Sequence, residues 1–333
     1  MASRSEPLLS IIVVTWNAKK YVLACLQSLR ASLVNIHSEV IVVDNSSSDG
    51  TPDAVRRQFS EVKLIENKSN LGFAKANNIG LAASRGKYLC LVNSDVVVPP
   101  GCFENILAFM ETTPHIGVLG PKMLSPLGGV GASVRRLPTV WNTLCCALGL
   151  HLVFPKSKLF GGYLMASYPY NATDDVETVS GWFLVISRWA LLDVGGLDDQ
   201  FFMYGEDIDW CHRFRESGWR VVFYSGAAAL HYGAGSSRQA PTRFHIEKHK
   251  ANLQYFRKHH HRFDVACYQL VIGLHELIRV IAYSLVYCVS TDRRADAALK
   301  ITRSSAGIRW LLRNGLFSVK PATDSPYVTK QPI

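Results

Sequence analysis

Residues 8–15 read LLSIIVVT, a run of apolar and β-branched side chains followed at once by Trp16 and Asn17. Such a run predicts a β-strand that is buried on both faces. Residues 17–29 then show helical spacing of apolar side chains, and the same alternation continues along the chain. Further strands are predicted at 39–43, 62–66 and 88–92. We therefore expect an α/β fold built on a mainly parallel sheet with right-handed crossovers.

Polar residues follow three of these predicted strands directly. They are Thr15-Trp16-Asn17, Asp44-Asn45 and Asn93-Ser94-Asp95. In sheets of this class, ligands bind at the carboxyl ends of the strands. The sequence therefore predicts that the three clusters share one rim, where a ligand binds.

Composition narrows the class of partner. The chain has 333 residues, of which 48% are apolar, so a packed core is expected. Lysine and arginine number 36 against 26 acidic residues, a formal charge of +10, which favours an anionic partner. We expect no nucleic-acid partner, because no recognisable reading module is present. The eight cysteines form no CxxC pair and lie mostly in apolar runs, which predicts reduced, buried thiols and a cytosolic setting.

Each polar cluster taken alone allows two interpretations. Asp95 at a strand end can hold one hard cation or can simply belong to a turn. Asp44 can accept the imide N–H of uracil or thymine, or can form a tight turn with the following residues. Gly72 opens a helix whose free N–H groups can bind an anion, or it merely turns the chain.

Two later segments carry further candidates. Glu206-Asp207-Ile208-Asp209 lies at a predicted helix start, where acids complement the helix dipole. Repulsion among these carboxylates raises the pKa of at least one, and one of them can take a proton from a hydroxyl. His231 precedes a glycine-rich stretch, residues 232–237, that leaves room for a diphosphate.

Seven segments, taken in order between residues 8 and 237, resemble the inverting family 2 glycosyltransferases of the GT-A fold, and most of all the bacterial rhamnosyltransferase branch. The segments are IIVVTWN, VIVVDNSSSDGT, NLGFAKANNIGL, YLCLVNSDV, VSGWFLVISR, VGGLDDQFFMYGEDIDWCHR and HYGAGSS.

The resemblance implies roles for individual residues. Asp207 would be the catalytic base, in an acidic pair with Glu206. Asp95 matches the last acid of the family's metal motif and would hold Mg²⁺ or Mn²⁺ together with His231. Gly181 and Trp182 would lie on the acceptor side. The residues implied in donor binding are Thr15, Asn17, Asp44, Asn45, Asn70, Gly72, Phe73, Asn77, Asn93 and Ser94.

The chain departs from the family's pattern at two positions. Asn93 stands where the metal motif has its first acid, and an amide binds a metal more weakly than a carboxylate. Trp16 stands where a tyrosine is common. We therefore expect metal binding to depend on Asp95, the donor diphosphate and His231.

The expected domain organisation follows from the same match. Residues 1–237 would form the GT-A catalytic domain, with a donor half at about 8–98 and an acceptor half at about 99–237. Residues 238–320 would form a basic and amphipathic helical region, and 321–333 a flexible tail. Within the acceptor half, residues 128–178 lack clear periodicity and are expected to form a mobile loop.

The C-terminal region suggests a membrane surface. Residues 238–262 contain seven lysines and arginines, five histidines and one acid, and residues 265–289 are strongly apolar. A stripe of Gln269, Glu276, Arg279, Tyr283 and Tyr287 falls on one side of a helical wheel. We expect this helix to lie in the membrane interface. The alternative is packing against the catalytic domain or against a second subunit in a homo-oligomer.

These features together predict an inverting glycosyltransferase on the cytoplasmic face of the membrane, acting in cell-envelope polysaccharide synthesis. The resemblance implies transfer of L-rhamnose from dTDP-L-rhamnose to a hydroxyl of a glycan or polyprenyl-diphosphate-linked acceptor. A UDP-sugar donor, with galactofuranose or a hexose, is the alternative. A non-catalytic binding protein with the same fold is a third possibility.

Overall fold

A computed structural model describes residues 6–233 and 240–314 of the chain. The strands are β1 (Leu9–Thr15), β2 (Ser38–Asp44), β3 (Lys63–Glu66), β4 (Tyr88–Asn93), β5 (Val96–Val97), β6 (Ile116–Leu124), β7 (Val134–Arg135), β8 (Asp174–Asp175), β9 (Thr178–Val179), β10 (Phe183–Ser187) and β11 (Arg220–His231). The helices are α1 (Lys19–Ser32), α2 (Thr51–Gln58), α3 (Phe73–Ala82), α4 (Cys102–Thr112), α5 (Val140–Ala147), α6 (Leu150–Val153), α7 (Arg188–Val194), α8 (Glu206–Glu216), α9 (Pro241–His259), α10 (Arg262–Val289) and α11 (Arg294–Arg313).

The main sheet has the strand order β3-β2-β1-β4-β10-β6-β11-β5, with β8 beside β11. The first four strands are parallel, whereas β10 runs antiparallel to both β4 and β6. The predicted α/β fold with a mainly parallel sheet is confirmed.

The core lies on both faces of this sheet, because successive side chains of β1 point in opposite directions. Leu9, Ile11 and Val13 pack with α1 and α4 on one face. Ile12 packs on the other face with α3, α8 and the C-terminal helices α9, α10 and α11. The helix α9 thus shares its hydrophobic core with the main sheet.

Two predicted boundaries shift for local reasons. Helix α1 begins at Lys19 rather than at Asn17, because Asn17 has a φ of 47° and lies outside helical geometry. The sequence also predicts a strand at 220–224, and this strand continues to His231, because a bulge between Tyr224 and Ala228 absorbs the interruption. That continuation brings His231 to the rim of the sheet.

Residues 128–178, expected to form a mobile loop, contain short regular elements. Helix α5 begins with a capping box in which Thr139 and Asn142 bond each other's backbone amides. Strand β7 pairs with β9 in a small second sheet. These elements are short, and their mixed polar and aromatic composition hides their periodicity.

The first part of the polar stripe on α10 faces inward. Gln269 is 4% exposed and Glu276 is fully buried, while Arg279 bonds Ser304 of α11 through Nε at 3.1 Å. Tyr287, at the end of the stripe, is 42% exposed. The opposite, apolar side of α10 is the exposed one.

All eight cysteines are free, as expected. Five are buried, two are half-buried and Cys288 is exposed. The predicted boundary at 237/238 and the predicted tail at 321–333 lie outside the described residues.

Candidate active site

The carboxyl ends of β1, β2 and β4 lie side by side at one edge of the sheet. Thr15 pairs with Asp44 in the parallel register, and Val14 pairs with Asn93. The polar clusters that follow these strands therefore share one rim, in agreement with the sequence prediction.

Two buried oxygens at this rim are available to a ligand. Asp44 is 1% exposed, and its Oδ2 accepts a hydrogen bond from the Ser47 amide at 2.8 Å. Its Oδ1 and the Thr15 hydroxyl have no hydrogen-bond partner among the residues the structure describes. An unsatisfied buried polar group costs about 1–3 kcal/mol, so a ligand that reaches these atoms gains stabilisation.

Asn17 fixes the loop that follows β2. Its backbone amide donates to Ser47 Oγ at 2.9 Å, and its Oδ1 accepts from the Ser48 amide at 2.8 Å. Asn17 thus joins the loops after β1 and β2, although its side chain does not line the cavity described below.

Asn45 performs a similar task for the loop before α3. Its Nδ2 donates to the Gly72 carbonyl at 3.0 Å, and Asn70 Oδ1 accepts from the Gly72 amide at 3.0 Å. Gly72 has a φ of +85°, and a Cβ added there would lie 2.3 Å from the Phe202 carbonyl oxygen. The adjacent Phe73 amide donates to that same carbonyl at 2.7 Å. We call residues 195–205, the loop between α7 and α8, the 200s loop. Only glycine at position 72 allows this loop to approach so closely.

Asn77 lies away from the rim, inside α3. Its Nδ2 donates to the Phe73 carbonyl at 2.9 Å and the residue is 1% exposed. The structure therefore places Asn77 as a support for the first turn of α3 behind the cavity.

Asp95 and His231 face each other across the rim. The antiparallel register of β5 and β11 pairs Val96 with His231, and the Tyr232 amide donates to the Asp95 carbonyl at 3.0 Å. Asp95 Oδ1 lies 3.2 Å from His231 Nε2, and that nitrogen makes no hydrogen bond within the described chain. Ligands that share one divalent ion at about 2.0–2.2 Å lie about 3 Å apart, so this pair fits a metal. Asn93 and Ser94 lie beside it on the cavity wall.

The segment Gly181–Trp182 connects this pair to helix α8. The Trp182 carbonyl accepts from the Asn93 amide at 2.9 Å, and its ring stacks on His231 with centroids 5.4 Å apart. The Gly181 amide donates to Asp207 Oδ2 at 2.8 Å. Trp182 is 4% exposed, so it supports His231 from behind and does not offer its ring to the cavity.

The three acids at the start of α8 differ in environment. Asp207 is half-buried and accepts from the amides of Gly181 and Ile208. Glu206 is 5% exposed, and burial raises the pKa of its carboxyl well above the usual range, with the Asp207 charge adding to the effect. The expected pKa rise therefore falls on Glu206, and Asp207 is the one left as an accessible carboxylate.

Asp209 serves the interior of the protein. It is fully buried and bonds Arg213 at 2.9 Å and both Lys258 and His259 of α9 at 2.8 Å. Burial alone would raise the pKa of Asp209, but the bond from His259 and the charges of Arg213 and Lys258 hold it below the usual range. Part of the basic segment of the chain is thus neutralised against the catalytic region.

One cavity gathers most of the predicted residues. Those on its wall are Thr15, Asn45, Asn70, Gly72, Phe73, Asn93, Ser94, Asp95 and His231. Those outside its lining are Asn17, Asp44, Asn77, Gly181, Trp182, Glu206 and Asp207.

Comparison with known proteins agrees with this geometry. Residues 10–167, which carry the strands of the rim and the Asp95 motif, match the family model described as glycosyl transferase family 2. Residues 10–167 form a glycosyltransferase family 2 domain. The chain is accordingly an enzyme of the glycosyltransferase class.

Two curated relatives of this family 2 glycosyltransferase are a rhamnosyltransferase and a hexosyltransferase. An N-acetylglucosaminyl-diphospho-decaprenol L-rhamnosyltransferase of Mycobacterium tuberculosis is 28% identical over 271 residues, covering 76% of this chain and 85% of the relative. A low-salt glycan biosynthesis hexosyltransferase of Haloferax volcanii is 24% identical over 229 residues, covering 67% of this chain and 66% of the relative.

A solved structure shares the fold. The mannosyltransferase of Pyrobaculum calidifontis, in complex with GDP-mannose and Mn²⁺, aligns over 95% of this chain and 89% of its own, with a TM-score of 0.53 and 15% identity. The likeness extends through the C-terminal helices as well as the sheet.

Several residues of the glycosyltransferase cavity escaped the sequence analysis as site residues. They are Val14, Trp16, Ala18, Phe202, Met203, Tyr204 and Phe244. The aromatic run before Glu206 was a visible local signal for the 200s loop. Phe244 gave none, because α9 reaches the cavity only through the packing of distant parts of the chain.

Proposed function

We propose that this glycosyltransferase moves L-rhamnose from dTDP-L-rhamnose to a hydroxyl of a polyprenyl-diphosphate-linked acceptor, with inversion at the anomeric carbon. The observation that carries the proposal is the continuous connection from the Asp95–His231 pair, through Gly181–Trp182, to the accessible carboxylate of Asp207. This arrangement sets a candidate metal pair and a candidate base at two sides of one site.

The chemistry is a single displacement. Asp207 accepts the proton of the acceptor hydroxyl as that oxygen forms a bond to the anomeric carbon. The bond between that carbon and the diphosphate oxygen breaks on the opposite side, so the configuration inverts. The amides of Gly181 and Ile208 hold the carboxylate in place for this step.

Asp95 and His231 would hold Mg²⁺ or Mn²⁺, with Asn93 beside them on the cavity wall. When bound, the ion neutralises charge on the leaving diphosphate. Its fit rests on the 3.2 Å separation of Asp95 Oδ1 and His231 Nε2. The solved mannosyltransferase with Mn²⁺ supports a divalent ion in this class of fold.

The donor assignment rests on two supports. Asp44 Oδ1 and Thr15 Oγ1 are buried acceptors that suit a nucleotide, and the imide N–H of uracil and of thymine meets Asp44 equally well. The mycobacterial relative, which is a rhamnosyltransferase, favours rhamnose. Its lipid-linked substrate supports the acceptor class.

The exposed side of α10 supports work at a membrane. Helix α10 is long and apolar enough to cross a bilayer. An 18-residue segment of the helix has a mean hydropathy of 1.6, and only 17% of that segment is buried. Its exposed side carries large apolar side chains, and α5, which packs beside it, and α6, which packs on α5, add more. Arg293 in the turn after α10 and Arg294 at the start of α11 are exposed, where they suit anionic headgroups. We place the enzyme peripherally on the cytoplasmic face.

A donor and acceptor screen tests the proposal. The full chain is incubated with Mn²⁺ or Mg²⁺, a polyprenyl-diphosphate N-acetylglucosamine acceptor, and in turn dTDP-L-rhamnose, UDP-galactofuranose and UDP-hexoses. We expect acceptor-dependent transfer from dTDP-L-rhamnose, with inverted anomeric configuration by NMR. Transfer only from a UDP-sugar would show that the donor is that sugar nucleotide and not dTDP-L-rhamnose. Absence of transfer from every donor would support a binding protein instead.

A further inference from the structure

A second cluster of potential metal ligands lies between the C-terminal helices, outside the catalytic cavity. His245 and His249 lie one turn apart on the same side of α9 and face Glu276 of α10. The Nε2 atoms of the two histidines lie 3.3 and 3.1 Å from the same oxygen, Glu276 Oε1. The two Nε2 atoms are 3.2 Å from each other.

The cluster is buried. The side chain of Glu276 is 1% exposed, that of His249 8% and that of His245 18%. Arg279 lies 3.8 Å from the other carboxylate oxygen and turns its own Nε to Ser304. The ligand atoms therefore sit in a closed space between α9, α10 and α11, where an unpaired carboxylate would be unfavourable.

The three ligand atoms, Nε2 of His245, Nε2 of His249 and Oε1 of Glu276, form a triangle whose size suits a bound ion. With hydrogen bonds alone, either both Nε2–H groups donate to one oxygen while they face each other at 3.2 Å, or one Nε2 accepts from the other and no longer donates to the carboxylate. An ion at the usual zinc–ligand distance of about 2.0–2.1 Å fits the same three atoms without conflict. The triangle of the three ligand atoms has edges of 3.1–3.3 Å, and the centre of this triangle lies about 1.85 Å from each atom. A zinc ion at its usual distance from all three atoms therefore lies about 0.9 Å above the plane of the triangle.

The fourth position of a tetrahedron falls beside Gly307 of α11. A Cβ added at Gly307 would lie 3.5 Å from both Nε2 atoms and from Glu276 Cγ. Ligands on a tetrahedral zinc ion are about 3.3 Å apart. Glycine thus leaves open the place that a water ligand would take, and any side chain would fill it.

We propose that His245, His249 and Glu276 bind a Zn²⁺ ion, with water as the fourth ligand, that clamps α9 to α10. Two imidazoles and one carboxylate are a ligand set that zinc accepts. This site is separate from the Asp95–His231 pair, and it stands whether or not the donor proposed above is correct.

The other histidine cluster in the described chain shows the contrast. His212 Nε2 is 3.5 Å from Glu216, whose side chain is 60% exposed, and His212 Nδ1 is bonded to the Tyr255 hydroxyl. His259 is occupied by Asp209 at 2.8 Å. These groups have other partners and an open side, so they do not form a comparable site.

Metal analysis of the full chain tests the proposal. Protein made without a polyhistidine tag is stripped with a chelator, reloaded with micromolar Zn²⁺, desalted and measured by mass spectrometry of the metal. We expect about one zinc per chain, with a tetrahedral visible spectrum after replacement by Co²⁺. The zinc should be lost in the His245→Ala/His249→Ala variant and retained in the His261→Ala control, whose histidine is exposed.

An Asp95→Ala variant separates this site from the catalytic one, and it should keep its zinc. Loss of zinc in that variant, equal zinc in the double histidine variant, or no zinc in the wild type would each overturn the proposal.

A glycine pair covers the case in which the double variant misfolds. Gly307→Ala fills the fourth position without removing a ligand, whereas Gly273→Ala on α10 meets nothing within 4 Å. Both replace a helical glycine, so both gain similar helix propensity. Zinc affinity should fall at least tenfold in Gly307→Ala only, and equal affinity in the two variants would contradict the site.

Discussion

The backbone amide of Gly181 donates a hydrogen bond of 2.8 Å to Oδ2 of Asp207. The next residue, Trp182, stacks on His231, which faces Asp95. A Cβ at residue 181 would lie 3.2 Å from the Asp207 Cβ, so glycine permits this approach. One short segment therefore sets the position of the proposed base relative to the proposed metal pair.

Replacement of that base should separate catalysis from donor binding. In Asp207→Asn, the side-chain oxygen can still accept from Gly181, but the amide cannot take the acceptor proton. We expect kcat to fall by about 10²–10⁴-fold with donor Kd within about twofold of the wild type, measured by transfer kinetics and calorimetry. Asp199→Asn, in the preceding loop, is the matched control and should keep its activity. Near-normal turnover in Asp207→Asn with intact folding would remove Asp207 as the base.

An acid placed at position 93, in the variant Asn93→Asp, should strengthen metal binding. Asn93 lies on the cavity wall with Asp95, and a carboxylate binds hard cations better than an amide does. In Asn93→Asp, we expect the Mn²⁺ concentration for half-maximal activity to fall about tenfold. In Asp95→Asn, we expect the Mn²⁺ concentration for half-maximal activity to rise. An unchanged Mn²⁺ requirement in both variants would argue against this rim as the metal site.

Two glycines with positive φ provide a test of the loop contact. Gly72 and Gly101 have φ of +85° and +82°, but a Cβ at Gly72 would meet the Phe202 carbonyl at 2.3 Å, whereas one at Gly101 meets nothing within 4 Å. Gly101→Ala should lower the free energy of unfolding by about 1 kcal/mol from strain alone. Gly72 also has a ψ of −178°, a conformation almost restricted to glycine, so Gly72→Ala should lower the free energy of unfolding by about 2 kcal/mol more, from this strain and from the contact together, and should raise the KM for donor. Equal destabilisation by denaturant unfolding would mean that the 200s loop does not need this close approach.

The buried Glu206 predicts an unusual pH dependence of stability. Its pKa is raised in the folded protein, so between the unfolded pKa near 4.5 and the folded value the folded state holds one more proton. Stability then decreases as pH rises through that window, by up to about 1.4 kcal/mol per pH unit. Glu206→Gln removes this loss, so its free energy of unfolding should exceed that of the wild type increasingly from pH 5 upward. A constant difference between the two proteins across pH would show that Glu206 ionises normally.

The first half of the fold was predictable because its signals are local. Residues 8–15 carry an uninterrupted apolar run, and the polar clusters come directly after the strands, so both the sheet and its rim follow from the order of the elements. Asn17 and Gly72 deviate from helical geometry for reasons that involve partners elsewhere, Ser47 and Phe202. Such contacts leave no mark on the local pattern.

The orientation of α10 shows the limit of periodicity. A helical wheel separates the polar stripe from the apolar side correctly but does not say which side meets the protein. Glu276 faces inward because His245, His249 and Ser304 supply partners from two other helices. The apolar side of α10 is thereby left exposed.

The apolar side of α10 should determine membrane binding. Ile281 is 54% exposed and Leu285 62%, and burial of each side chain in lipid contributes about 1.5–3 kcal/mol. The Ile281→Lys/Leu285→Lys variant should bind anionic liposomes roughly 100-fold more weakly than the wild type in a flotation assay. Its turnover with a water-soluble acceptor should be unchanged. The control with the same added charge is Val34→Lys/Leu192→Lys. Val34 is exposed just after α1, and Leu192 is exposed on α7. Equal liposome binding by both variants would show that the apolar side of α10 serves another contact.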